Sequence, residues 1–490
     1  MGIKRYYANK DATITDAFKS NLITRATASN MGASDVLEVF SIYGQATTSS
    51  AELSRVLVEF PVMTDLSASR DDSVIPASGS VKFFLKLYNA EHTETLPSDF
   101  SLTVAAVSRS WDEGVGLDME TYLDEDAANW TFASSGVLWT APGGDFLNAA
   151  SNITKDPNFI VGTEDLELDV TDVVEQWLDG TVSHNGFGIY MSSSFEASSS
   201  LNLTGSTRSY YTKKFFARKS EFFFKRPAIE ARWDSSITDD AGNFYLSSSL
   251  MPSESNLNSV YLYNVVGGQL RDIPSIGTGV ITASVYGALA NNQDKITLPI
   301  GGDVVGDGDT NVTGGWQATG IYSASFAYSS SVTPVYVVWS DSSNQFQSSS
   351  AITVKTYSAG NSNFTTSYVT TIIGLKPTYS IQETARFRVF VRPRDWSPTV
   401  YTVSSTAIAV TPIEKSYYKI YRVSDGLEVV PYGTGSTTEH TRMSYDSQGN
   451  YFDFDISMLE PDFQYGLKFM HRVNGLLAEQ KEAFKFRVES

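Results

Sequence analysis

Residues 54–60, Ser-Arg-Val-Leu-Val-Glu-Phe, are the most informative segment for the fold class of this chain. Val56, Val58 and Phe60 alternate with Arg55 and Glu59, which places apolar and charged side chains on opposite faces of an extended segment. This alternation is typical of a β-strand with one buried and one solvated face, the usual state in antiparallel sheets.

The same period of two recurs along the chain, at residues 81–87, 386–392, 452–456 and 484–488. Helix is scarce by comparison. The clearest helical pattern runs from Thr171 to Asp179, with Trp177 on its apolar stripe as a core anchor and Gly180 just after its C-terminus. One short helix among many strands predicts an all-β protein made of serial β-sandwich domains.

Length and composition agree with several folded domains. The 490 residues are too many for one ordinary core, and 41% of them are apolar and 13% aromatic, which is enough to bury several cores. The formal net charge is −19, from 55 acidic and 36 basic residues. A field of this sign repels nucleic acid and anionic lipid, so neither is expected as a partner.

The chain contains no cysteine, which excludes disulfides, thiol catalysis and thiolate metal sites. Residues 1–7 lack the apolar core of a secretion signal, and the sequence has no apolar run of about 18 residues. We therefore expect synthesis in a cytoplasm without a standard secretion signal, and no membrane segment.

Changes in composition predict three domains. A polar segment at 236–258, with a turn signal at residues 239–242, follows the first domain, and a third module begins near Pro412. The expected domains are residues 1–235, 236–411 and 412–490.

The last module carries two local signals. Leu459-Glu-Pro461 followed by Tyr465 resembles the tyrosine corner of fibronectin type III and other immunoglobulin-like sandwiches. A weaker echo of this pattern occurs at residues 375–391. Asp425-Gly426, between two apolar segments, predicts a β-hairpin with a two-residue turn.

Several short segments of the first 235 residues occur in the order of one known family. They are Asp11–Ile14, Asn30–Gly32, Ser54–Phe60, Ile75–Gly79, Ser110–Gly114, Trp139, Pro142–Phe146, Val170–Trp177, Asn185–Gly188, Phe215–Glu221 and Arg226–Ile229. In this order they resemble the DNRLRE-type domain, a carbohydrate-binding-module-like family, which implies a jelly-roll-like β-sandwich. The chain departs from the family in long insertions at residues 116–129 and 153–163. The whole layout is similar to virion structural proteins of T4-like marine tailed phages, which implies a place in the virion.

The residues that usually carry catalysis or bind metals are scattered. The four histidines, His92, His184, His440 and His471, lie in different segments and show no metal-ligand spacing. His471 falls on an alternating strand and is interpreted as a hydrogen-bonded core or interface histidine. Because Gly-x-Ser-x-Gly and Walker-type motifs are also missing from the sequence, no catalytic, cofactor-binding or metal-binding residues are predicted.

The acidic residues also predict no metal-binding or catalytic site. Asp307 to Asn311 begins like a calcium loop, but Val312 and Ala318 stand where glycine and glutamate are needed, so calcium is not predicted. Spacing does not test for the two carboxylates of a glycosidase, because such residues are often far apart in sequence.

Four tryptophans are candidate ligand-facing aromatics, since aromatic rings stack on the apolar faces of sugars. They are Trp111, Trp130, Trp139 and Trp233. The competing interpretation places each of them in a core, where large aromatic side chains are common.

Together these patterns favour a non-enzymatic structural component of a tailed phage virion, in the tail, baseplate or neck. It would assemble through its sandwich modules with itself and with other virion proteins. The alternative is an adhesin whose first domain recognises host surface polysaccharide. An enzyme such as a polysaccharide lyase or hydrolase ranks last, because no catalytic cluster is recognisable.

Overall fold

The computed structural model divides the chain into two compact units. The N-terminal unit comprises Gly2–Asp234 with Thr438–His440, and the C-terminal unit comprises Ser235–Thr437 with Thr441–Ser490. The described residues are 2–45, 51–91, 97–147, 153–199, 202–249, 256–289, 294–299, 310–341, 343–356, 368–396, 399–401, 410–473 and 476–490.

The N-terminal unit is built from short strands and two short helices. The strands are β1 (Ile3–Tyr7), β2 (Lys10–Thr15), β3 (Val36–Gln45), β4 (Glu52–Glu59), β5 (Lys82–Leu87), β6 (Phe100–Ala106), β7 (Phe132–Ser134), β8 (Val137–Leu138), β9 (Thr154–Lys155), β10 (Asn158–Phe159), β11 (Leu166–Asp169), β12 (Phe187–Met191), β13 (Arg208–Phe216) and β14 (Ala228–Arg232). The helices are α1 (Ser67–Asp71), which follows a π-helical turn at Val62–Leu66, and α2 (Thr171–Leu178); a 3₁₀ turn spans Phe223–Lys225.

Two antiparallel sheets enclose the core of this unit. One has the strand order β1-β14-β5-β11, and the other, eight-stranded, has the order β10-β6-β12-β4-β3-β13, with β2 pairing β4 and β9 pairing β6. Alternate residues of both sheets point into one shared core, among them Leu85, Val104, Phe187 and Ile229. The unit is therefore a β-sandwich, as the alternating patterns predict.

The predicted helix is confirmed. α2 begins at Thr171, and Gly180 follows it with a φ of +78°, a left-handed conformation that glycine adopts without steric cost. Trp177 lies in the core, as expected for an anchor of the apolar stripe.

The C-terminal unit is almost entirely β-structure. Its strands are β15 (Tyr245–Leu246), β16 (Asn258–Tyr263), β17 (Val265–Val266), β18 (Gln269–Leu270), β19 (Val280–Tyr286), β20 (Val312–Ala318), β21 (Ile321–Phe326), β22 (Tyr336–Ser340), β23 (Gln345–Ser348), β24 (Lys355–Thr356), β25 (Tyr368–Ile373), β26 (Thr378–Ser380), β27 (Thr384–Pro393), β28 (Ser416–Arg422), β29 (Glu428–Val430), β30 (Ser444–Asp446), β31 (Gly449–Asp455), β32 (Gln464–Val473), β33 (Leu476–Glu479) and β34 (Phe484–Glu489). Its 3₁₀ turns span Asp240–Gly242 and Ile456–Met458.

These strands form successive sandwiches. A six-stranded sheet, β16-β21-β20-β19-β22-β23, buries its apolar face together with Phe244, Ile273 and Leu298. Further along the chain, β25-β27-β31-β30 and β26-β34-β32-β28-β29 make up the last sandwich, with β33 pairing β32. The chain is thus all-β and consists of serial β-sandwiches, as predicted.

The expected boundary at 411/412 does not match the strand pairing. β27 lies before that boundary and pairs with β31 after it, so that Phe387 stands opposite Phe452. β26 likewise pairs with β34. Because these strands complete the last sandwich, it includes β25 and extends at least as far back as Tyr368, which composition alone does not reveal.

The two local signals of the last module are present in the structure. The Tyr465 hydroxyl donates to the Glu460 carbonyl oxygen at 2.8 Å, which is a tyrosine corner. β28 and β29 form the predicted hairpin, and Gly426 has a φ of +74°. The Arg422 N–H donates to the Leu427 carbonyl oxygen, so the loop is longer than the two residues expected.

Candidate functional site

An open cleft of about 900 Å³ lies on the outer face of the eight-stranded sheet. Its floor consists of side chains that alternate with core residues: Ser101 and Thr103 on β6, Arg55 on β4 and Tyr190 on β12. Their neighbours along the strands, such as Val104, point into the sandwich core instead. The alternation that builds the core therefore also places these four side chains in the cleft.

Two stacked aromatic rings form one side of the cleft. The rings of Phe146 and Tyr190 have centroids 4.8 Å apart and planes inclined by 26°. Gly188 on β12 leaves room for this arrangement, because a Cβ at that position would lie 1.9 Å from the Phe146 ring. A larger residue at 188 would push Phe146 away from the sheet.

Arg55 holds the aromatic residues together. Its guanidinium carbon lies 5.2 Å, 5.7 Å and 5.1 Å from the ring centroids of Trp130, Phe146 and Tyr190. Its Nη2 also donates to Glu196 Oε1 at 2.8 Å. This ion pair neutralises the positive charge of the cleft floor.

Carboxylates and hydroxyls form the rest of the lining. Thr103 Oγ1 donates to Asp156 Oδ1 at 2.6 Å, and Arg109 Nε donates to Asp145 Oδ2 at 3.0 Å. Burial tends to raise the pKa of Asp145, but hydrogen bonds from Thr140 outweigh it, so the pKa is lowered and the group stays ionised. Burial raises the pKa of Tyr190 to about 12, so its hydroxyl stays protonated.

Most of the charged groups at the cleft are paired with one another. Three carboxylates, on Asp145, Asp156 and Glu196, lie in its lining. Arg55 pairs with Glu196 and Arg109 pairs with Asp145, so that Asp156 leaves a small net negative charge. Abundant hydroxyl groups and a half-buried aromatic pair are the groups that a neutral polyhydroxylated ligand would contact.

The four candidate tryptophans do not face this cleft as exposed platforms, so the prediction that they contact a ligand is wrong. The structure leaves at most 7% of any of these residues exposed: Trp111, Trp130, Trp139 and Trp233. The first three belong to a second hydrophobic cluster that covers part of the outer face of the sheet, and Trp233 lies in the main core. The competing core interpretation therefore holds for all four residues.

Hydrogen bonds lower the cost of burying two of these four indoles. Trp111 Nε1 donates to the Asn185 carbonyl oxygen at 2.9 Å, and Trp139 Nε1 donates to the Asn129 carbonyl oxygen at 2.8 Å. A buried indole N–H without such a partner would be destabilising.

The described histidines have structural environments. His471 is fully buried on β32, with Nδ1 at 2.7 Å from Ser416 Oγ and Nε2 at 3.1 Å from Thr370 Oγ1, which confirms the expected hydrogen-bonded core histidine. His184 packs edge-on against Trp177 with centroids 4.6 Å apart. Burial lowers the pKa of each of these histidines to about 4, so both are neutral at pH 7.

Among the described residues, no three histidine or acidic side chains are grouped so as to hold a metal ion. His440 is likewise buried, and burial lowers its pKa to about 4. His92 and the acidic loop at residues 301–309 lie outside the described residues.

Sequence reasoning missed the residues that form the cleft. The strand pattern marks Arg55 only as a polar partner, and neither this pattern nor the segment Pro142–Phe146 predicts that Phe146 and Tyr190 line a cleft. The usable signals were local: Phe146 ends the glycine-rich segment at 142–146, and Gly188 interrupts an otherwise apolar strand two residues before Tyr190. Glycine in a strand often marks the close approach of another group.

No protein-family profile and no curated protein matches the sequence. Among solved structures, the chain is similar to the Yersinia pseudotuberculosis adhesin InvE, with 12% identity over 50% of this chain and 56% of that chain and a TM-score of 0.16. It is also similar to the N-terminal Ig1-2 module of the Drosophila receptor protein tyrosine phosphatase DLAR (12% identity, 48% of this chain, 91% of that chain, TM-score 0.14). It is similar as well to the FN1-FN3 domains of chicken CNTN1, with 9% identity over 83% of this chain and 95% of that chain and a TM-score of 0.14. The chain spans about half the length of the adhesin, and none of these similarities bears on function.

In the described part of the chain, no helix is long and apolar enough to cross a bilayer.

Proposed function

We propose that this chain is a non-enzymatic structural component of a tailed phage virion, in the tail, baseplate or neck. It assembles through its β-sandwich modules with copies of itself and with other virion proteins. The observation that carries the assembly part is a strand with two exposed leucines at the edge of the last sandwich.

That strand is β33, which pairs with β32 and has no other partner strand in the described part of the chain. Leu476 and Leu477 are 75% and 45% exposed. An exposed apolar edge offers unpaired N–H and C=O groups to a further strand, and soluble proteins usually protect such edges with charge or a covering element. A partner strand laid along β33 would bury both leucines and satisfy its backbone, as in β-strand addition.

We propose a non-enzymatic role because the candidate catalytic groups in the cleft are already hydrogen-bonded to neighbouring side chains. A hydrolytic or lyase site needs a base or nucleophile with a free reacting atom in a cleft. In the cleft of the N-terminal unit, the carboxylates of Asp145, Asp156 and Glu196 are each engaged by a neighbouring threonine or arginine. Among the histidines that the structure describes, His471 is fully buried between two hydroxyl groups.

The place in a phage virion is proposed from the resemblance of the sequence layout to virion structural proteins. The net charge of −19 bears on the partners alone, because it disfavours nucleic acid and anionic membranes. Synthesis in the host cytoplasm followed by incorporation into the particle is the localisation that goes with this proposal.

Two measurements test the assembly proposal. Mass spectrometry of purified particles should find the chain in stoichiometric amount, and light scattering of the recombinant protein should show self-association that Leu477→Lys weakens. Leu203→Lys is the matched control, because Leu203 is an exposed leucine outside any strand. Absence from particles together with a monomeric protein in solution would rule the proposal out.

A second candidate function is favoured by the cleft itself. Stacked rings, hydroxyls and a net negative lining fit a neutral glycan, so the N-terminal unit would act as an adhesin module for host surface polysaccharide. A glycan array should then show binding to neutral glycans that Tyr190→Ala abolishes. Tyr210→Ala, at an exposed tyrosine outside the cleft, is the matched control. Equal binding by both variants, or preference for anionic glycans, would contradict this candidate.

A further inference from the structure

A lysine lies completely inside the N-terminal unit. Lys213 on β13 has 0% of its surface exposed, and its Nζ lies 4.9 Å and 5.3 Å from the ring centroids of Phe159 and Phe215. Lysine is almost never fully buried unless it is paired with an acid. The three atoms that accept hydrogen bonds from this Nζ, however, are amide oxygens.

Those three acceptors are one side-chain amide and two backbone carbonyls. Nζ donates to Asn89 Oδ1 at 2.7 Å, to the Gly162 carbonyl oxygen at 2.9 Å and to the Glu164 carbonyl oxygen at 2.7 Å. Burial lowers the pKa of Lys213 to about 8, with Glu164 and Asp165 partly opposing the shift. A measurable fraction of the amine is therefore neutral and nucleophilic near neutral pH.

The Asn89 carboxamide lies next to this amine. Because a C=O bond is about 1.2 Å long, the 2.7 Å contact to Oδ1 places Nζ within about 4 Å of Asn89 Cγ. The backbone around Asn89 is fixed as well, since Asn89 bridges Phe215 on β13 and its N–H donates to Asp165 Oδ1 at 2.7 Å. Reacting atoms held at about 3–3.5 Å by a rigid frame gain much of the advantage of an intramolecular reaction.

A carboxylate for proton transfer stands beside the same asparagine. Asp165 contacts the Asn89 backbone and is exposed, so it can exchange protons with water. The neighbouring Glu164 is unsuited to this role, because its oxygens accept from the N–H groups of Val161 and Gly162. Both acids interact electrostatically with Lys213, and Asp165 is therefore the better candidate for proton transfer.

We propose that Lys213 and Asn89 join in an intramolecular isopeptide bond, with Asp165 as the proton-transfer group. The neutral Nζ attacks Asn89 Cγ, and the Nζ–Cγ bond forms as the Cγ–Nδ2 bond breaks. Asp165 accepts a proton from Nζ and returns it to Nδ2, which leaves as ammonia. Atoms and charge balance without an oxidant, a cofactor or any other reactant.

The bond would connect the two sheets of the sandwich. Asn89 follows β5 of the four-stranded sheet, Lys213 belongs to β13 of the eight-stranded sheet, and 124 positions separate them in sequence. A covalent link across so long a loop restricts the unfolded chain strongly, as a disulfide does in proteins that have cysteine. This inference does not depend on the proposed function.

Intact-mass and peptide mass spectrometry of the purified full-length chain test the proposal. We expect a mass lower by one ammonia and a branched tryptic peptide that joins residues 87–109 to residues 209–214, because trypsin does not cleave after a modified lysine. The branched peptide should be lost in Lys213→Met and strongly reduced in Asp165→Asn, and it should persist in the neighbouring control Lys214→Arg.

Three outcomes of these measurements would contradict the isopeptide bond or the role of Asp165. Linear peptides only, after incubation at a pH above the pKa of Lys213, would overturn the proposal. Loss of ammonia with linear peptides that hydroxylamine cleaves at Asn89 would also overturn it, since that behaviour marks a succinimide. An undiminished branched peptide in Asp165→Asn would overturn the role of Asp165. Because the mass of the wild-type chain decides the main question, a variant that fails to fold leaves the test intact.

Discussion

Replacing Glu230 by glutamine should destabilise the N-terminal unit strongly. Glu230 lies on β14 and is 0% exposed, although it points away from the apolar core formed by Ile229 and Ala231. Its carboxylate accepts hydrogen bonds from Arg5 Nε and Arg232 Nε, each at 2.6 Å. The amide of glutamine keeps the size of the side chain but removes the negative charge that these two guanidinium groups share, although Arg232 keeps a second ion pair, with Glu167 at 2.7 Å.

The expected magnitude follows from what remains buried. The side chains of Arg5 and Arg232 are each only 5% exposed, so water cannot replace the lost carboxylate. Removing one partner of a buried ion pair costs about 3–5 kcal/mol. This corresponds to a loss of backbone protection of about a hundredfold to several thousandfold.

Hydrogen–deuterium exchange of the full chain, followed in peptides that cover β5 and β14, measures this loss directly. Asp453→Asn is the matched control, because it removes a carboxylate from the exposed pair with Arg386. Exposed pairs contribute about 0–1 kcal/mol, so protection of β27 and β31 should change little. A Glu230→Gln variant that loses less than about tenfold in protection, a loss of about 1.4 kcal/mol, would refute the reasoning.

The same variant should change the response to acid. Burial tends to raise the pKa of Glu230, but Arg5, Lys86 and Arg232 outweigh it and hold the pKa well below its ordinary value of 4.5. The unfolded chain therefore takes up a proton first, and the stabilisation by Glu230 is present above pH 4.5 and lost as the pH falls further. Wild-type protection of β14 should decline in that range, and the decline should be smaller in Glu230→Gln.

Three further predictions concern other parts of the chain. Tyr465→Phe removes the hydrogen bond to Glu460 and should lower the stability of the last sandwich by about 1 kcal/mol in urea unfolding; an unchanged midpoint would contradict this. The pKa of His471 is lowered from 6.5 to about 4, so the unfolded state binds more protons in that interval and stability should fall as the pH decreases through it. His471→Gln should flatten this pH dependence, and equal slopes would contradict the assignment. Gly188→Ala should displace Phe146 and lower the melting temperature through overpacking of about 1–3 kcal/mol, together with any glycan affinity; an unchanged melting temperature would argue against the close contact.

Strand alternation made much of the fold predictable from sequence. The pattern at residues 54–60 became β4, because its apolar side chains had to face a second sheet. The helix at Thr171–Leu178 and the tyrosine corner at Tyr465 were equally readable, since each depends on a few residues close together in the chain. Local chemistry is sufficient where the contacts themselves are local.

The cleft and the last domain boundary depend on long-range pairing, which alternation does not specify. Arg55 meets Tyr190 and Trp130 only after β4 and β12 have become neighbours in the sheet. The four tryptophans illustrate the same problem, because a large aromatic residue in a loop fits an exposed platform and a second core equally well. The loops that carry three of them fold back onto the sheet, and this decided in favour of the core.

Burial on both faces of the sheets in the N-terminal unit limits where this unit can bind anything. Every residue of β14 is buried, with apolar side chains on one face and the Glu230 charge network on the other. The outer face of the opposite sheet is partly covered by the tryptophan cluster, and the cleft occupies another part of it. A glycan-binding role would therefore depend on Tyr190 and Phe146, whereas assembly through β33 belongs to the C-terminal unit. Because the two roles use different residues in different units, Tyr190→Ala and Leu477→Lys should affect them separately, and a variant that changed both activities would indicate a fold defect instead.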